Sequence, residues 1–378
     1  MEFQRYKLSQ LITIKNGKDY KHLEEGDVPV FGSGGYMCSV SSYLYDKVSI
    51  LLPRKGTLSN IQYFNNGKFW TVDTCFYSII NESLCNPYYL YRHLRSLDLS
   101  GYDTGASIPS MTQKTYNGIK VMLPSLPAQH RIASILSAYD NLIENNNKRI
   151  RLLEQMAENL YKEWFVRFRF PGHEKAEFES GLPKGWKIWS ISKLCDINRK
   201  TLNSKNKGLE IEYLDTSSIT CNQIVGTESY VFEEAPSRAR RIVKHNSIVF
   251  STVRPNLKHY GILKKIPDNL IVSTGFAVFD SKYDIANIIY LFLSSQEVVD
   301  YCQLIAEGAV ATYPSIKPEE IGRLKIALPN IEIAEKWNGK LESLYSEILN
   351  IQKQNTLLTR QRDLLLPRLM SGKLEVNI

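Results

Sequence analysis

Two stretches of the chain place residues at alternating steps of four and three, the spacing that lays a single apolar stripe along a helix. In the first, Ile132, Leu136, Tyr139, Ile143, Asn146, Ile150, Leu153, Ala157, Leu160 and Trp164 follow without a break, and nine of the ten are apolar. In the second, Trp337, Leu341, Leu344, Ile348, Ile351, Asn355, Leu358, Arg362, Leu365 and Leu369 repeat the spacing 205 residues on, with Asn355 and Arg362 as polar exceptions. A stripe of this period is a coiled-coil seam that needs a second helix to cover it. At 1.5 Å per residue, roughly 38 helical residues make a rod of about 57 Å, too long to bury against one small domain. The two rods are therefore expected to pair with each other. Antiparallel pairing follows if each rod leaves its own globular unit. Asn146 and Asn355 are either tolerated polar positions or, as favoured here, register devices, because a buried Asn disfavours slipped pairings at some cost in stability. Pro124 and Pro127 mark the start of the first helix, Pro329-Asn330 the start of the second with Asn330 as cap, and Pro171-Gly172 the stop of the first.

The rods belong to a larger repeat. Leu8, Leu11 and Ile14 are answered by Ile191, Leu194 and Ile197. Arg54 and Val72-x-Thr74-x-Phe76 recur 200 residues later as Arg254 and Val272-x-Thr274-x-Phe276. Gly105-Ala106 through Pro109-Ser110 to Leu123-Pro124 matches Gly308-Ala309 through Pro314-Ser315 to Leu328-Pro329. The chain reads as a duplication. Its expected parts are a globular unit at 1–123, a central long helix at 124–169, a linker at 170–185, a second unit at 186–328 and a C-terminal long helix at 329–378. Strands are predicted at Val48–Leu52, Phe69–Ile80, Ser247–Thr252 and Leu270–Asp280, and helices at Pro87–Leu97 and Ile285–Leu304. The fold class is α+β, two tandem units of mixed short strands and helices, each followed by a long helix.

Composition fits this plan. The 378 residues are 43% hydrophobic and 23% charged, and no apolar run approaches the ~20 residues that span a bilayer. The N-terminus lacks the features of a secretory signal, so no membrane association and a cytoplasmic location are expected. Six scattered cysteines form no Cys-x-x-Cys pair and are expected to be reduced and mostly buried. Forty-seven Lys and Arg against 39 Asp and Glu leave a net charge of +8, which fits a polyanionic partner. Between Pro236 and Lys265 lie Arg238, Arg240, Arg241, Lys244, Arg254, Lys258, Lys264 and Lys265 without one Asp or Glu. That stretch is either a solvated face or a phosphate-binding surface.

Catalytic signatures are weak. Phe31-Gly32-Ser33-Gly34-Gly35 has the glycines of a cofactor loop, but no helical pattern follows it. Asn86-Pro87-Tyr88-Tyr89 is explained by a helix start. Asp268 with Asp280 and Lys282 could be imagined as a metal-dependent nuclease set, yet such spacing is common by chance. The six histidines show no metal-ligand spacing, and no phosphate-binding P-loop exists. No catalytic residue, bound cofactor or metal is expected. What remains is recognition: Arg54-Lys55-Gly56-Thr57 and Arg254-Pro255-Asn256 follow predicted strands in equivalent places. Arginine can bind guanine, and asparagine adenine, through two hydrogen bonds. The competing reading gives Arg54 and Arg254 a shared structural ion pair. The loops Tyr102–Ser107 and Glu307–Tyr313 are expected to be exposed and hinged on glycine, or to form plain turns ahead of the last strand.

Several motifs are shared with one family. They are Leu123-Pro124-Ser125-Leu126-Pro127-Ala128-Gln129-His130-Arg131-Ile132-Ala133 with Leu136-Ser137-Ala138-Tyr139-Asp140, the helix end Leu160-Tyr161-Lys162-Glu163-Trp164-Phe165, the lead-in Gly181-Leu182-Pro183-Lys184-Gly185-Trp186, and the terminal Leu365-Leu366-Pro367-Arg368-Leu369-Met370-Ser371-Gly372. In these the chain resembles, over its full length, the DNA-specificity subunit of a Type I restriction-modification system. It departs from the pattern at Ile331-Glu332-Ile333-Ala334, where the usual Gln and basic residue are replaced.

The resemblance implies two target-recognition domains that each read one part of a gapped target in double-stranded DNA, with the rods as a ruler for the gap. It implies two methyltransferase (M) subunits on the rods, restriction (R) motor-nuclease subunits joining them, and S-adenosylmethionine, ATP and Mg on those partners. Candidates for DNA contact are Ser33, Gly34, Tyr36, Arg54, Lys55, Thr104, Ser107 and Lys114 in the first half. In the second half they are Arg238, Arg240, Arg254, Asn256, Lys258 and Thr312. Candidates for helix or partner contact are Ile132, Leu136, Tyr139, Ile143, Ile150, Leu153, Leu160, Trp164, Trp337, Leu341, Leu344, Ile348, Ile351 and Leu358. The alternative is a self-contained restriction or DNA-methylating enzyme, which would modify DNA when purified alone with cofactor. A bare coiled-coil scaffold would show no salt-dependent DNA binding.

Overall fold

A computed structural model describes residues 2–65, 67–103, 105, 107–308 and 313–376. The chain forms two compact units, Met1–Asn147 with Lys353–Ile378, and Lys148–Gln352.

In the first unit, Phe3–Lys7 pairs antiparallel with Lys120–Pro124. A four-stranded antiparallel sheet runs in the order Ile12–Asn16, Cys75–Ile80, Ser49–Pro53, Gln62–Phe64. A three-stranded sheet holds Gly35–Val40, Glu25–Gly32 and Trp70–Thr71, the last parallel to its neighbour. In the second unit, Lys187–Ser190 pairs with Lys325–Leu328. One four-stranded sheet runs Cys195–Ile197, Phe276–Ser281, Ser247–Ser251, Tyr260–Leu263. Another runs Glu228–Val231, Glu210–Leu214, Leu270–Ser273, Ala239–Ile242 with a parallel pair at its centre. Strand order and the one parallel pairing therefore recur, so the repeat in sequence is a repeat in fold.

Two of the predicted strands and one predicted helix are split. Phe69–Ile80 forms Trp70–Thr71 and Cys75–Ile80, which belong to different sheets. Leu270–Asp280 likewise forms Leu270–Ser273 and Phe276–Ser281, broken at Thr274-Gly275, where the Gly275 N–H donates to Ser273 Oγ at 3.2 Å. Ile285–Leu304 becomes Ala286–Leu293 and Gln296–Glu307, with Ser295 Oγ donating to the Phe292 carbonyl at the break (2.8 Å). In the two strand runs both halves are buried, so apolarity continues across a corner that only the polar Asp73-Thr74 and Thr274-Gly275 mark.

The long helices run Leu126–Tyr161, with a π turn at Lys162–Val166, and Ile331–Met370. Both match the expected length of roughly 38 residues and lie inside the bounds 124–169 and 329–378, since Pro124 ends a strand and Gly372, at φ +73°, lies just past the end of the second helix. Asn330 caps that helix, accepting from the Glu332 N–H at 3.3 Å. Asn86 caps Pro87–Ser96, accepting from the Tyr89 N–H at 3.0 Å.

Within each unit the helix segments run antiparallel. In the first unit Ile132, Leu136, Leu369 and Met370 join the core of Leu8, Leu11, Ile50, Leu52, Tyr89 and Tyr116. The seam's polar members are paired. Asn146 Nδ2 donates to Asn355 Oδ1 at 2.9 Å, and Asn355 Nδ2 to Asn147 Oδ1 at 2.8 Å. Arg362 donates to Asp140 at 2.7 Å, and the same carboxylate accepts from the Tyr88 hydroxyl and the buried Arg92. In the second unit Ile150, Leu153, Leu160 and Trp164 share a core with Trp337, Leu341, Leu344, Ile348 and Ile351, and the Trp164 and Trp337 rings lie 5.3 Å apart. Tyr139, Ile143 and Leu358 are half-buried.

One basic residue of the Pro236–Lys265 run is internal. The Lys264 side chain is 2% exposed, its ammonium 2.6 Å from Glu342 and 2.8 Å from Asn246 Oδ1. Glu342 also accepts from Asn287 Nδ2 at 2.9 Å. Burial pushes the Glu342 carboxyl up, but the hydrogen bonds from Asn287 and Lys264 and the Lys264 charge outweigh it and hold it below the usual carboxylate range.

Two expectations follow from these pairs. Asn146→Leu alone should lower the urea midpoint, costing about 1–3 kcal/mol for the Asn355 oxygen left without its donor. The double change with Asn355→Leu should exceed the single one, and equal midpoints would show the two residues to be uncoupled. Glu342→Ala should cost about 3–5 kcal/mol at neutral pH, because it strands a buried ammonium. The carboxylate's stabilisation is present above its unfolded pKa and is lost as pH falls through its lower folded pKa. The deficit of the variant, followed by urea unfolding, should therefore shrink below a pH of about 4.3.

Candidate nucleic-acid interface

In the first unit the strand Ser49–Pro53 ends at Arg54, and the next residues are pinned from two sides. The Arg54 N–H donates to the Thr74 carbonyl at 2.9 Å, its carbonyl accepts from the Met111 N–H at 3.0 Å, and the Gly56 N–H donates to the Pro109 carbonyl at 2.9 Å. Gly56 sits at φ +92°, a conformation that favours glycine. Arg54 and Lys55 thereby line a cleft of about 410 Å³ with Asn16, Phe76, Ser110, Thr112 and Gln113. Gln113 Nε2 donates to Asn16 Oδ1 at 2.9 Å, so two amides stand beside the cations. Arg54 makes no ion pair among the described residues, and one guanidinium nitrogen reaches the Asp73 carbonyl at 3.4 Å.

Ser33 and Gly34 form the turn of the hairpin Glu25–Gly32/Gly35–Val40, with no helix after it. Asn60 Nδ2 donates to the Ser33 carbonyl at 2.7 Å, which holds the hairpin turn against the loop that Arg54 opens. Tyr36 on this hairpin is 64% exposed. Asp103 accepts from the Gly105 and Ser110 N–H groups, both at 2.8 Å, and these bonds hold its carboxyl below the usual range while fixing the loop. Ser107 and Lys114 are exposed but do not line the cleft, and Thr104 lies outside the described residues.

The second unit builds its cleft in the same topological place. An isolated bridge joins Val253 to Ser315, as another joins Lys55 to Ser110 in the first unit. The cleft, about 520 Å³, is lined by Arg238, Arg254, Thr216, Ser217, His259, Tyr313 and Ser315 among others. Arg254 occupies the left-handed region at φ +47°, where a side chain costs about 1–3 kcal/mol. Its guanidinium lies over the Tyr313 ring at 5.1 Å and has no hydrogen-bond partner among the described residues. Among the described residues, then, neither arginine is in an ion pair, and the shared structural pair is not found there. His259 Nδ1 is taken up by the Ile219 carbonyl at 2.7 Å.

Three other candidates point elsewhere. Arg240 lies over the Phe232 ring at 4.5 Å and donates to the Ala239 carbonyl at 2.8 Å. Lys258, at φ +58°, donates to Gln296 Oε1 at 2.7 Å and lines a different cavity. Asn256 is exposed on the turn Pro255–Leu257, outside the cleft lining. Thr312 lies outside the described residues. The sequence reading missed Asn16, Gln113, Thr216, Ser217, His259 and Tyr313. Of these only Tyr313 carried a signal, being the aromatic residue just before the repeated Pro-Ser turn.

The residues considered for catalysis are occupied structurally. Asp280 is buried and accepts from Ser247 Oγ at 2.5 Å, and Lys282 lies 3.7 Å from Asp196. Four of the six cysteines are buried; burial pushes Cys75, Cys85 and Cys195 up to about 12 and Cys302 up to about 11. Among the described residues no helix is long and apolar enough to cross a membrane.

Residues 1–155 and 183–359 match the family described as Type I restriction modification DNA specificity domain. The chain belongs to this family. It is similar to the specificity subunit of the Type I restriction enzyme MjaIX of Methanocaldococcus jannaschii, at 25% identity over 378 aligned residues covering 95% of this chain and 84% of that protein. It is also similar to the MjaVIII specificity subunit of the same organism, at 26% identity over 78% of this chain and 72% of that protein. The crystal structure of a Type I restriction-modification S subunit from M. genitalium shares the fold, with a TM-score of 0.64 and 16% identity over 98% of this chain and 96% of that one. As a Type I specificity subunit the chain is non-catalytic, with two copies of the specificity domain.

The strain at Arg254 has a measurable consequence. Arg254→Gly should relieve it at the loss of one stacking contact, raising the free energy of unfolding by about 1 kcal/mol. Arg254→Ala, which keeps a Cβ in the left-handed region, should give no such gain. Urea unfolding of the two variants checks this, and equal midpoints would show that the residue carries no strain.

Proposed function

We propose that each unit of this Type I specificity subunit contacts one half of a two-part, gapped target in double-stranded DNA, through the Arg54/Lys55 cleft in the first unit and the Arg238/Arg254 cleft in the second. The observation that carries this reading is the recurrence, in topologically equivalent clefts, of an arginine without an ion-pair partner among the described residues. A guanidinium free to donate can reach guanine or a phosphate, and neighbouring amides and hydroxyls suit base edges and backbone oxygens. In this reading Ser33, Gly34, Tyr36, Ser107, Lys114 and Asn256 are flanking contacts, and the length of the long helices sets the gap between half-sites.

Methyltransferase subunits would dock on the long helices. Leu152 and Met156, 60% and 51% exposed, lie off the seam in the second unit, and Leu357 and Leu364, 51% and 63% exposed, lie off it in the first. S-adenosylmethionine, ATP and Mg would be held by the methyltransferase and motor-nuclease partners.

A genome-wide map of methylated adenines tests the proposal. Deleting the gene should abolish one gapped two-part motif, and restoring it should bring the motif back. Complementation with Arg54→Ala should weaken or relax only one half of that motif, and Arg254→Ala only the other. An unchanged map in cells that express the chain and its methyltransferase would overturn the reading, as would variants that affect both halves alike.

A further inference from the structure

In the second unit a cavity of about 280 Å³ lies apart from the basic cleft, between the first long helix, the second and the sheet. Glu154, Glu158 and Tyr161 reach it from the first helix and Tyr345 from the second, and Tyr260 and Tyr290 line it from the domain. Tyr161, Tyr290 and Tyr345 are 6%, 7% and 3% exposed. None of their hydroxyls has a hydrogen-bond partner among the described residues. The Glu154 carboxyl is half-buried and has no hydrogen-bond partner among the described residues; burial and the neighbouring Glu158 push its pKa up, with the Arg151 charge acting the other way. The same two carboxylates bear on the phenols, Glu154 and Glu158 on Tyr345, Glu154 on Tyr290 and Glu158 on Tyr260. Phenol oxygens and carboxylates thus converge on one small space. Two lysines line it as well: the ammonium of Lys258 is held by Gln296, and Lys162 is exposed.

We propose that this cavity binds a small aliphatic amine in its ammonium form, with Glu154 and Glu158 taking the charge and the Tyr290 and Tyr345 phenols taking ammonium N–H groups and the alkyl chain. An ammonium ion has donors only, and the unpartnered phenols and carboxylates lining the cavity can all accept. Aromatic faces beside carboxylates also favour organic cations over neutral molecules. Bound there, the amine would link the first long helix to the helix Ala286–Leu293.

The test is calorimetric titration of the full chain, free of DNA, with 1,4-diaminobutane at constant ionic strength, with thermal unfolding in parallel. Saturable one-to-one binding and a saturating rise in Tm are expected, with 1,4-butanediol giving neither. Glu154→Gln should weaken binding roughly tenfold or more. Glu158→Gln, at an exposed position where the fold is not at stake, should weaken it severalfold. Binding that does not saturate, that both variants retain in full, or that the diol reproduces would overturn the proposal.

Discussion

An apolar stripe that runs the length of a 36-residue helix must be covered along its whole length, and this requirement governs the rest of the chain. A domain of ordinary size covers only a few turns. In the first unit Ile132 and Leu136 are taken into the domain core, and in the second Trp164 is taken into a cluster with Trp337. Elsewhere the helix segments of each unit cover one another, and the domain adds contacts such as Tyr290 against Tyr345. Where the stripe is interrupted, a partner of matching chemistry is supplied, an amide for Asn146 and a carboxylate for Arg362. Arg362 would be a fault in an apolar seam, but Asp140 sits opposite and is itself held by Tyr88 and Arg92 of the domain. The helix pair is thereby keyed to the helix Pro87–Ser96 by charge as well as by packing.

The parts legible in the sequence were those set by a period or a local rule. Residues every three or four positions gave the long helices, Asn86 and Asn330 gave caps, and the recurrence of Val-x-Thr-x-Phe gave the duplication. The corners inside Phe69–Ile80 and Leu270–Asp280 were not legible. Residues on both sides of each corner are buried, in different sheets, so apolarity continues through a change of direction. The clefts were half legible. Arg54 and Arg254 were placed by their position after a strand, whereas Asn16 and Gln113 come from segments 97 residues apart that only the fold joins.

Charge shows the same limit from another side. The run from Pro236 to Lys265 is continuous in sequence and divided in space. Arg240 lies over Phe232, Lys258 is bound to Gln296 and Lys264 is buried against Glu342. Arg241 is half-buried, and burial lowers its pKa. Arg238, Lys244, Arg254 and Lys265 remain exposed. A count of basic residues therefore overstates the surface that a polyanion would meet, because long side chains bury their stems wherever a carbonyl, ring or carboxylate can take the head.

Arg254 shows how a cation is held by packing, without a hydrogen-bond partner among the described residues. A left-handed backbone at a residue with a full side chain is unfavourable by itself. It persists here because the backbone is tied at Pro314 and because the next residue, Pro255, opens a 3-10 turn whose Asn256 N–H donates to Gln303. Tyr313 then fixes the guanidinium without using any of its donors. In the proposed DNA contact, a hydrogen-bonded or ion-paired arginine would have to break those bonds first, at a cost repeated for every partner lost. Stacking orients the cation and leaves its N–H groups free. The strain, the proline turn and the tyrosine thus act together to keep one arginine of the cleft lining oriented and without an ion pair among the described residues.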